Sequence, residues 1–285
     1  MKRQKSFDND RPTCYLVATP IGNLNEMTPR AIEVLKQVDV IAAEDTRNTI
    51  KLLAHFSIDT RMISHHEHNE TQSANGILQL LEAGQNVALV SDAGYPLISD
   101  PGEILVKKIV EAGFNVVPIS GSSAALDALV ASGLSPQPFV FYGFLPVSDK
   151  ECKAQLNQLK AYPYTLIFYE APHRIMKTMK KIHEVFGDRS ACLAREVTKR
   201  HEEFLRGTLS ELIEINEELR GEMVLVVEGN NEELHPEVDL SEVNEMITSY
   251  ITNGIPASQA IRKVSEETGI PKNELYARYH QKDQS

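Results

Sequence analysis

At 285 residues the chain is long enough for two domains, each with its own core. With 42% hydrophobic and 24% charged residues it lies far from the disordered and fibrous extremes. A formal net charge of −11 excludes broad, sequence-independent binding to nucleic acid, because affinity for a polyanion rests on neutralising phosphates. A nucleic-acid partner would have to be met locally.

Residues 1–13 read as a polar lead-in without a signal-peptide core, and no later run approaches the roughly 18 apolar residues of a membrane span. Cys14, Cys152 and Cys192 stand far apart and match no zinc or redox spacing. The reading is a cytoplasmic protein with structural thiols and no membrane partner.

From 14 to 133 short apolar runs alternate with helical periodicity: YLVAT with TPRAIEVLKQV, DVIAAE with TRNTIKLLAHF, RMISHH with SANGILQLLEAG, NVALVSD with PGEILVKKIVEAG, NVVPIS with SSAALDALVASG. That rhythm predicts an N-terminal α/β domain with a largely parallel sheet. Gly84, Gly113 and Gly133 stand where helices end. After a proline-rich break at 134–138, a second α/β unit over 139–231 runs through FVFYGFLP, YTLIFYEAP, HRIMKTMKKIHEVFG, SACLAREV, EEFLRG, LSELIEIN and EMVLVVEG. Its many strands predict a mixed sheet. Residues 238–285 read as three short helices, either a helix-turn-helix-like tail or a helical cap.

Several strand ends carry chemical side chains. SDAGYPLISDPG, residues 91–102, is longer than a strand-to-helix turn requires and sits where open α/β sheets bind ligands. Ser122 and Ser123 open a helix, as a plain cap or as an anion site. TPIGNLNEMTPR, from Thr19, lacks the GxGxxG and GxxxxGK[ST] fingerprints, while Thr28 and Pro29 suit a helix start. Glu44, Asp45, Thr46 and Arg47 close the second strand, as a base with a phosphate-binding arginine or as helix caps. His65, His66 and His68 lack companion ligands, so no metal is expected; a polar edge facing substrate fits them better. Tyr169, Glu170 and Arg174 stand at the end of the most apolar strand of the second half. Basic residues concentrate between Arg174 and Arg206, including Lys199 and Arg200, as a solvated face or an RNA-contacting edge.

The strings ATPIGNLNEMTPRA, AEDTRNT, HEHNE, SDAGYPLISDPG, GSSA, GFLP, YEAPHR, REVTKRHEEFLRG and GEMVLVVEG follow one order from about residue 15 to 229. In that order the chain resembles the ribosomal RNA small-subunit 2′-O-ribose methyltransferases of the tetrapyrrole methylase superfamily. The resemblance implies two α/β domains with S-adenosyl-L-methionine in the cleft between them, a homodimer, and methylation of one cytidine ribose in the decoding region of 16S ribosomal RNA, free or in the assembled small subunit. It implies cofactor contacts at Pro20, Asp92, Ala93, Gly94, Tyr95, Ser122, Ser123, Ala124, Tyr169, Glu170 and Met223. Candidate bases are Glu44, Asp45, His66 and Glu170, and Arg47, Arg174, Lys199 and Arg200 are the candidate phosphate contacts. Tyr95 departs from the small hydroxyl residue usual at its position. Two alternatives are a small-molecule tetrapyrrole methyltransferase and a non-catalytic RNA-binding regulator.

Overall fold

The computed structural model describes residues 3–6, 9–66, 70–215, 218–231 and 240–268, with 270, 272, 275, 276 and 279 beyond them. His68 and much of the third tail segment lie outside the described residues. Two compact units result, Met1–Asn230 and Asn231–Ser285.

The first unit holds two five-stranded sheets. The first comprises β1 (Thr13–Val17), β2 (Val40–Ala43), β3 (Met62–Ser64), β4 (Val87–Val90) and β5 (Asn115–Ile119), in the order β3-β2-β4-β1-β5. Every pairing in it is parallel. Parallel strands need crossovers, and the helices α1 (Pro29–Gln37), α2 (Thr46–His55), α3 (Glu70–Glu82) and α4 (Glu103–Ala112) supply them. Both faces of the sheet are thereby covered, which is why β2 and β4 are buried at every position. One face packs Ala31, Leu35 and Leu53 from α1 and α2, and the other Ala74, Ile77, Leu81, Leu105 and Ile109 from α3 and α4.

Local signals set the helix boundaries. The Thr28 hydroxyl accepts from the Ala31 N–H one residue ahead of Pro29, and Asp45 caps α2 through the Arg47 N–H. Gly84, Gly113 and Gly133 stand at φ 89°, 86° and 83° just past α3, α4 and α5 (Ala124–Ser132).

The second sheet comprises β6 (Phe139–Phe144), β7 (Thr165–Glu170), β8 (Ser190–Arg195), β9 (Glu203–Thr208) and β10 (Met223–Val227), in the order β6-β7-β10-β8-β9. Only β6 and β7 pair in parallel; β7-β10, β10-β8 and β8-β9 are antiparallel. The helices α6 (Asp149–Leu159), α7 (Ile175–Phe186) and α8 (Leu209–Ile213) bury Leu156, Met179, Ile182 and Leu212 against one face. The other face is covered by α5, whose Ala125, Ala128 and Leu129 cluster with Ile167, Cys192, Ala194 and Val224. This helix follows the first sheet in the chain and packs on the second. Its N-terminus is therefore held between the two.

Sequence periodicity anticipated these elements except α6, whose surface is strongly polar; Cys152, Leu156 and Leu159 at i, i+4 and i+7 are its apolar signal. All three cysteines are buried and free, and burial pushes the Cys14 thiol up to about 12. The second unit contains α9 (Leu240–Thr252) and α10 (Ala257–Thr268), with its own cluster of Val243, Ile247, Ile261, Val264, Ile270 and Leu275. Among the described residues no helix is long and apolar enough to cross a membrane.

Candidate active site

The ends of β2 and β4, the start of α5, the end of β7 and the start of β10 surround a cavity of about 430 Å³. Glu44 enters from the end of β2, Asp92 to Tyr95 and Ile98 to Asp100 from the loop after β4, and Ser123 and Ala124 from α5. Tyr169 to Pro172 follow β7, Met223 and Val224 begin β10, and Ile21, Phe144 and Val197 add apolar wall.

The loop after β4 is fixed at several points. Thr19 and Gly94 exchange both backbone hydrogen bonds, at 2.9 and 3.0 Å, which ties this loop to the one after β1. Gly94 stands at φ 79°, where a side chain would be strained. The Tyr95 hydroxyl accepts from the Gly121 N–H at 3.2 Å, so this tyrosine joins the strand-end loops of β4 and β5. Further on, Leu97 and Ser99 hold left-handed φ values of 73° and 70°, and Gly102 stands at 138° with Leu89 and Leu97 packed where a Cβ would project. Left-handed backbone at ordinary residues is sustained only where surroundings enforce it. Beyond them Glu70 Oε1 accepts from the N–H groups of Gly102 at 2.9 Å and Ile104 at 3.3 Å, capping α4 from the start of α3. The loop bearing Val197 is held similarly, with Glu196 at φ 49° and Thr198 at 69°.

Carboxylates gather at the first-sheet wall. The Glu44 Oε2 accepts from the Asp92 N–H at 3.4 Å, and burial, aided by the Asp92 and Asp45 charges, raises its pKa above the ordinary value. Asp92 Oδ2 accepts from Asn48 Nδ2 at 2.9 Å. Asp100 is raised to about 7 by burial first and by the Glu44 and Asp92 charges next. On the opposite wall burial raises the Tyr169 phenol.

The sequence-derived residues divide by position. Glu44, Asp92, Ala93, Gly94, Tyr95, Ser123, Ala124, Tyr169, Glu170 and Met223 share the cavity. Ser123 occupies the N-cap position of α5 without a side-chain capping bond, whereas Ser122 donates to Glu26 Oε2 at 3.1 Å. Pro20 lines a neighbouring hollow of about 300 Å³ with Asn48, Lys51, Ser91 and Asp92. Asp45 is ion-paired with Arg47 at 2.6 Å, which, with the Arg47 N–H, lowers its carboxyl to about 2. His66 is half-buried beyond β3 and outside the cavity lining; its neighbour His65 is buried against Ser73 at 2.7 Å. Glu170 Oε1 accepts from the Ala171 N–H and Oε2 from the Thr178 hydroxyl, and Arg174 lies 3.4 Å away. Arg174 also donates to the Leu145 and Pro146 carbonyls. Lys199 crosses Gly22 and pairs with Glu196 and Glu222 at 3.0 and 2.8 Å, while Arg200 is exposed. Asp100 and Glu70 were missed by sequence reasoning, although both fall within strings already singled out. Among the described residues no group of three His, Cys, Asp or Glu side chains is arranged to hold a metal ion.

The family model for tetrapyrrole (corrin/porphyrin) methylases matches residues 13–213. The ribosomal RNA small subunit methyltransferase I of Bacillus subtilis (strain 168) is 49% identical over 288 residues, covering 98% of this chain and 99% of that protein. The chain belongs to the tetrapyrrole methylase family. A second relative, the ribosomal RNA small subunit methyltransferase I of Synechocystis sp. (strain ATCC 27184 / PCC 6803 / Kazusa), is 47% identical over 92% of this chain and 95% of its own. Among solved structures, uroporphyrin III C-methyltransferase from Thermus thermophilus superposes with a TM-score of 0.56 at 19% identity, covering 76% of this chain and 97% of that one. That likeness shows a shared fold.

Proposed function

We propose that this protein transfers a methyl group from S-adenosyl-L-methionine to the 2′-hydroxyl of a cytidine ribose in the decoding region of 16S ribosomal RNA. The observation that carries the reading is 49% identity across 98% of the chain to a protein named ribosomal RNA small subunit methyltransferase I. It acts, in this reading, as a cytoplasmic homodimer on the small-subunit RNA, free or assembled. Leu126 and Val130, one turn apart on α5 and 47% and 75% exposed, offer an apolar face to a second copy.

The cavity suits the methyl donor on three counts. Its volume of about 430 Å³ lies in the range of small-molecule sites. Ile21, Ile98, Val197, Met223 and Val224 give an apolar surface for adenine, and Glu44 and Asp92 supply negative potential for a cationic ligand. The backbone of Asp92 to Tyr95 and the side-chain-free cap at Ser123 and Ala124 offer hydrogen-bonding groups to its amino-acid end. Tyr169, Glu170 and Met223 form the facing wall, with Pro20 and Ser122 just outside. When bound, S-adenosyl-L-methionine supplies an electrophilic methyl carbon on a sulfonium.

The protein's part is to align the ribose oxygen behind that carbon, exclude water and take the hydroxyl proton. Of the candidate bases, Glu44 is the one in the cavity whose carboxylate is not tied to a cation; Glu170 and Asp45 serve Arg174 and Arg47, and His66 stands off the lining. For RNA phosphates, the exposed Arg200 is better placed than Arg47, Arg174 and Lys199, which already pair with Asp45, Glu170 and Glu196.

The test is transfer of labelled methyl to small subunits from cells lacking the enzyme, with mapping of the modified nucleotide. Label on a single decoding-region cytidine ribose is expected. Absence of RNA label with intact cofactor binding would overturn the reading in favour of a small-molecule acceptor.

A further inference from the structure

We propose that Asp100 is the group that accepts the 2′-hydroxyl proton during methyl transfer. The inference rests on the ribose-methylation reading and deepens it by naming a base.

Three observations converge on this carboxylate. Asp100 lines the cavity beside Glu44 on the first-sheet wall. Its segment is held rigidly: left-handed Leu97 and Ser99 precede it, Gly102 follows it, and Glu70 pins the N–H groups of Gly102 and Ile104. A catalytic group on a loop needs such second-layer support to keep its geometry. Moreover, several acidic side chains at or near the cavity are held by cations. Glu170 pairs with Arg174, Glu222 with Lys199, and Asp45, outside the cavity, with Arg47. Asp100 faces the charges of Glu44 and Asp92 and the Tyr169 phenol.

These surroundings also suit its proton affinity. Burial, then the Glu44 and Asp92 charges, lift Asp100 to about 7, near which a base gives the best product of ionised fraction and driving force. In the step itself the 2′-oxygen forms a bond to the methyl carbon as the carbon–sulfur bond breaks, and that bond's electron pair stays on sulfur. The oxygen's proton passes to the Asp100 carboxylate and from there to solvent. The Glu44 charge holds Asp100 basic.

The experiment uses the full chain, small subunits from cells lacking the enzyme, and single-turnover rates from pH 5.5 to 9. The wild-type rate should rise through an inflection near pH 7. Asp100→Asn should fall by about 100-fold and lose that rising limb, with S-adenosyl-L-methionine affinity by calorimetry within about threefold of wild type. Glu44→Gln should shift the limb to lower pH, because removing a negative neighbour lowers the pKa of Asp100. A carbon-13 titration of the aspartate carboxyls should show a resonance titrating near 7 that Asp100→Asn deletes. Its absence would overturn the proposal without any assay of turnover. So would an Asp100→Asn profile like the wild type's, or a loss of cofactor affinity matching the loss of rate. A wild-type enzyme that leaves the subunits unlabelled would instead defeat the substrate reading on which the proposal stands.

Discussion

Glu170 and Asp100 lie in the same cavity and have opposite surroundings, so their substitution should have opposite effects on stability. Glu170 is 3% exposed, with hydrogen bonds to Ala171 and Thr178 and an ion pair to Arg174. Glu170→Ala leaves the buried Thr178 hydroxyl and the Ala171 N–H without their acceptor and removes one partner of Arg174, and should lower the unfolding free energy by about 2 kcal/mol, read as a reduced urea midpoint. An unchanged midpoint would show that the network contributes nothing. Asp100 is the reverse case. Its folded pKa of about 7 exceeds the roughly 3.9 of an unfolded aspartate. Between those values the unfolded chain binds fewer protons, so the stability associated with Asp100 is full below pH 4 and falls as pH rises to 7. Asp100→Asn removes that loss. Because the side chain is only half-buried, solvent screening reduces the expected gain to about 1 kcal/mol at pH 8, or about 2–4 °C in melting temperature. No comparable gain should appear at pH 4, and equal shifts at both pH values would contradict the assigned titration. A residue whose removal stabilises the fold is what a site selected for chemistry is expected to contain.

At the scale of elements, the cap that Glu70 places on α4 links two crossovers to the cavity loop. Glu70→Ala should reduce global stability by about 1 kcal/mol, as loss of a helix cap does. It should also loosen the cavity loop, because the N–H groups of Gly102 and Ile104 that anchor its end lose their acceptor. The expected readout is about a tenfold weaker S-adenosyl-L-methionine affinity by calorimetry. A lower melting temperature with cofactor affinity unchanged would confine Glu70 to supporting the helix. Such a cap between sequence-distant elements leaves no periodic trace, which is why Glu70 was visible only as part of a motif. The elements themselves were legible wherever one face is apolar: β2 and β4 as buried runs, α1 through Thr28 and Pro29. By contrast α6 was missed because its three buried residues are diluted by lysine, glutamine and asparagine. The loop from Ser91 to Gly102 stood out through its length and its Gly, Pro and Asp content, which mark a ligand loop without ranking its carboxylates. Burial and like-charge crowding distinguish Asp100 from Asp92, and both arise from tertiary packing. Tyr95 likewise acquires its bond to the Gly121 N–H only once two strand-end loops meet.

For the whole molecule, separate cores make the two units experimentally separable. The apolar cluster of α9 and α10 draws only on residues beyond Asn231, and every residue lining the cavity precedes Asn230. A unit with its own core generally folds alone, so a chain of residues 1–230 should remain folded and bind S-adenosyl-L-methionine within about threefold of the full chain. Loss of cofactor binding on truncation would mean that the tail is needed to keep the cavity intact. The same truncation tests how RNA is held. Residues 231–285 carry ten Asp and Glu against five Lys and Arg, so removing them leaves the remainder less acidic. Each phosphate neutralised contributes about 0.7–0.9 to the slope of log affinity against log salt. An acidic segment neutralises few phosphates, so truncation should leave the slope for small-subunit binding unchanged, whatever it does to affinity at a single salt concentration. A parallel drop at every salt concentration would identify the tail as a contact that reads RNA shape, whereas a shallower slope would place its few basic residues, Arg262 and Lys263 among them, on the phosphate backbone.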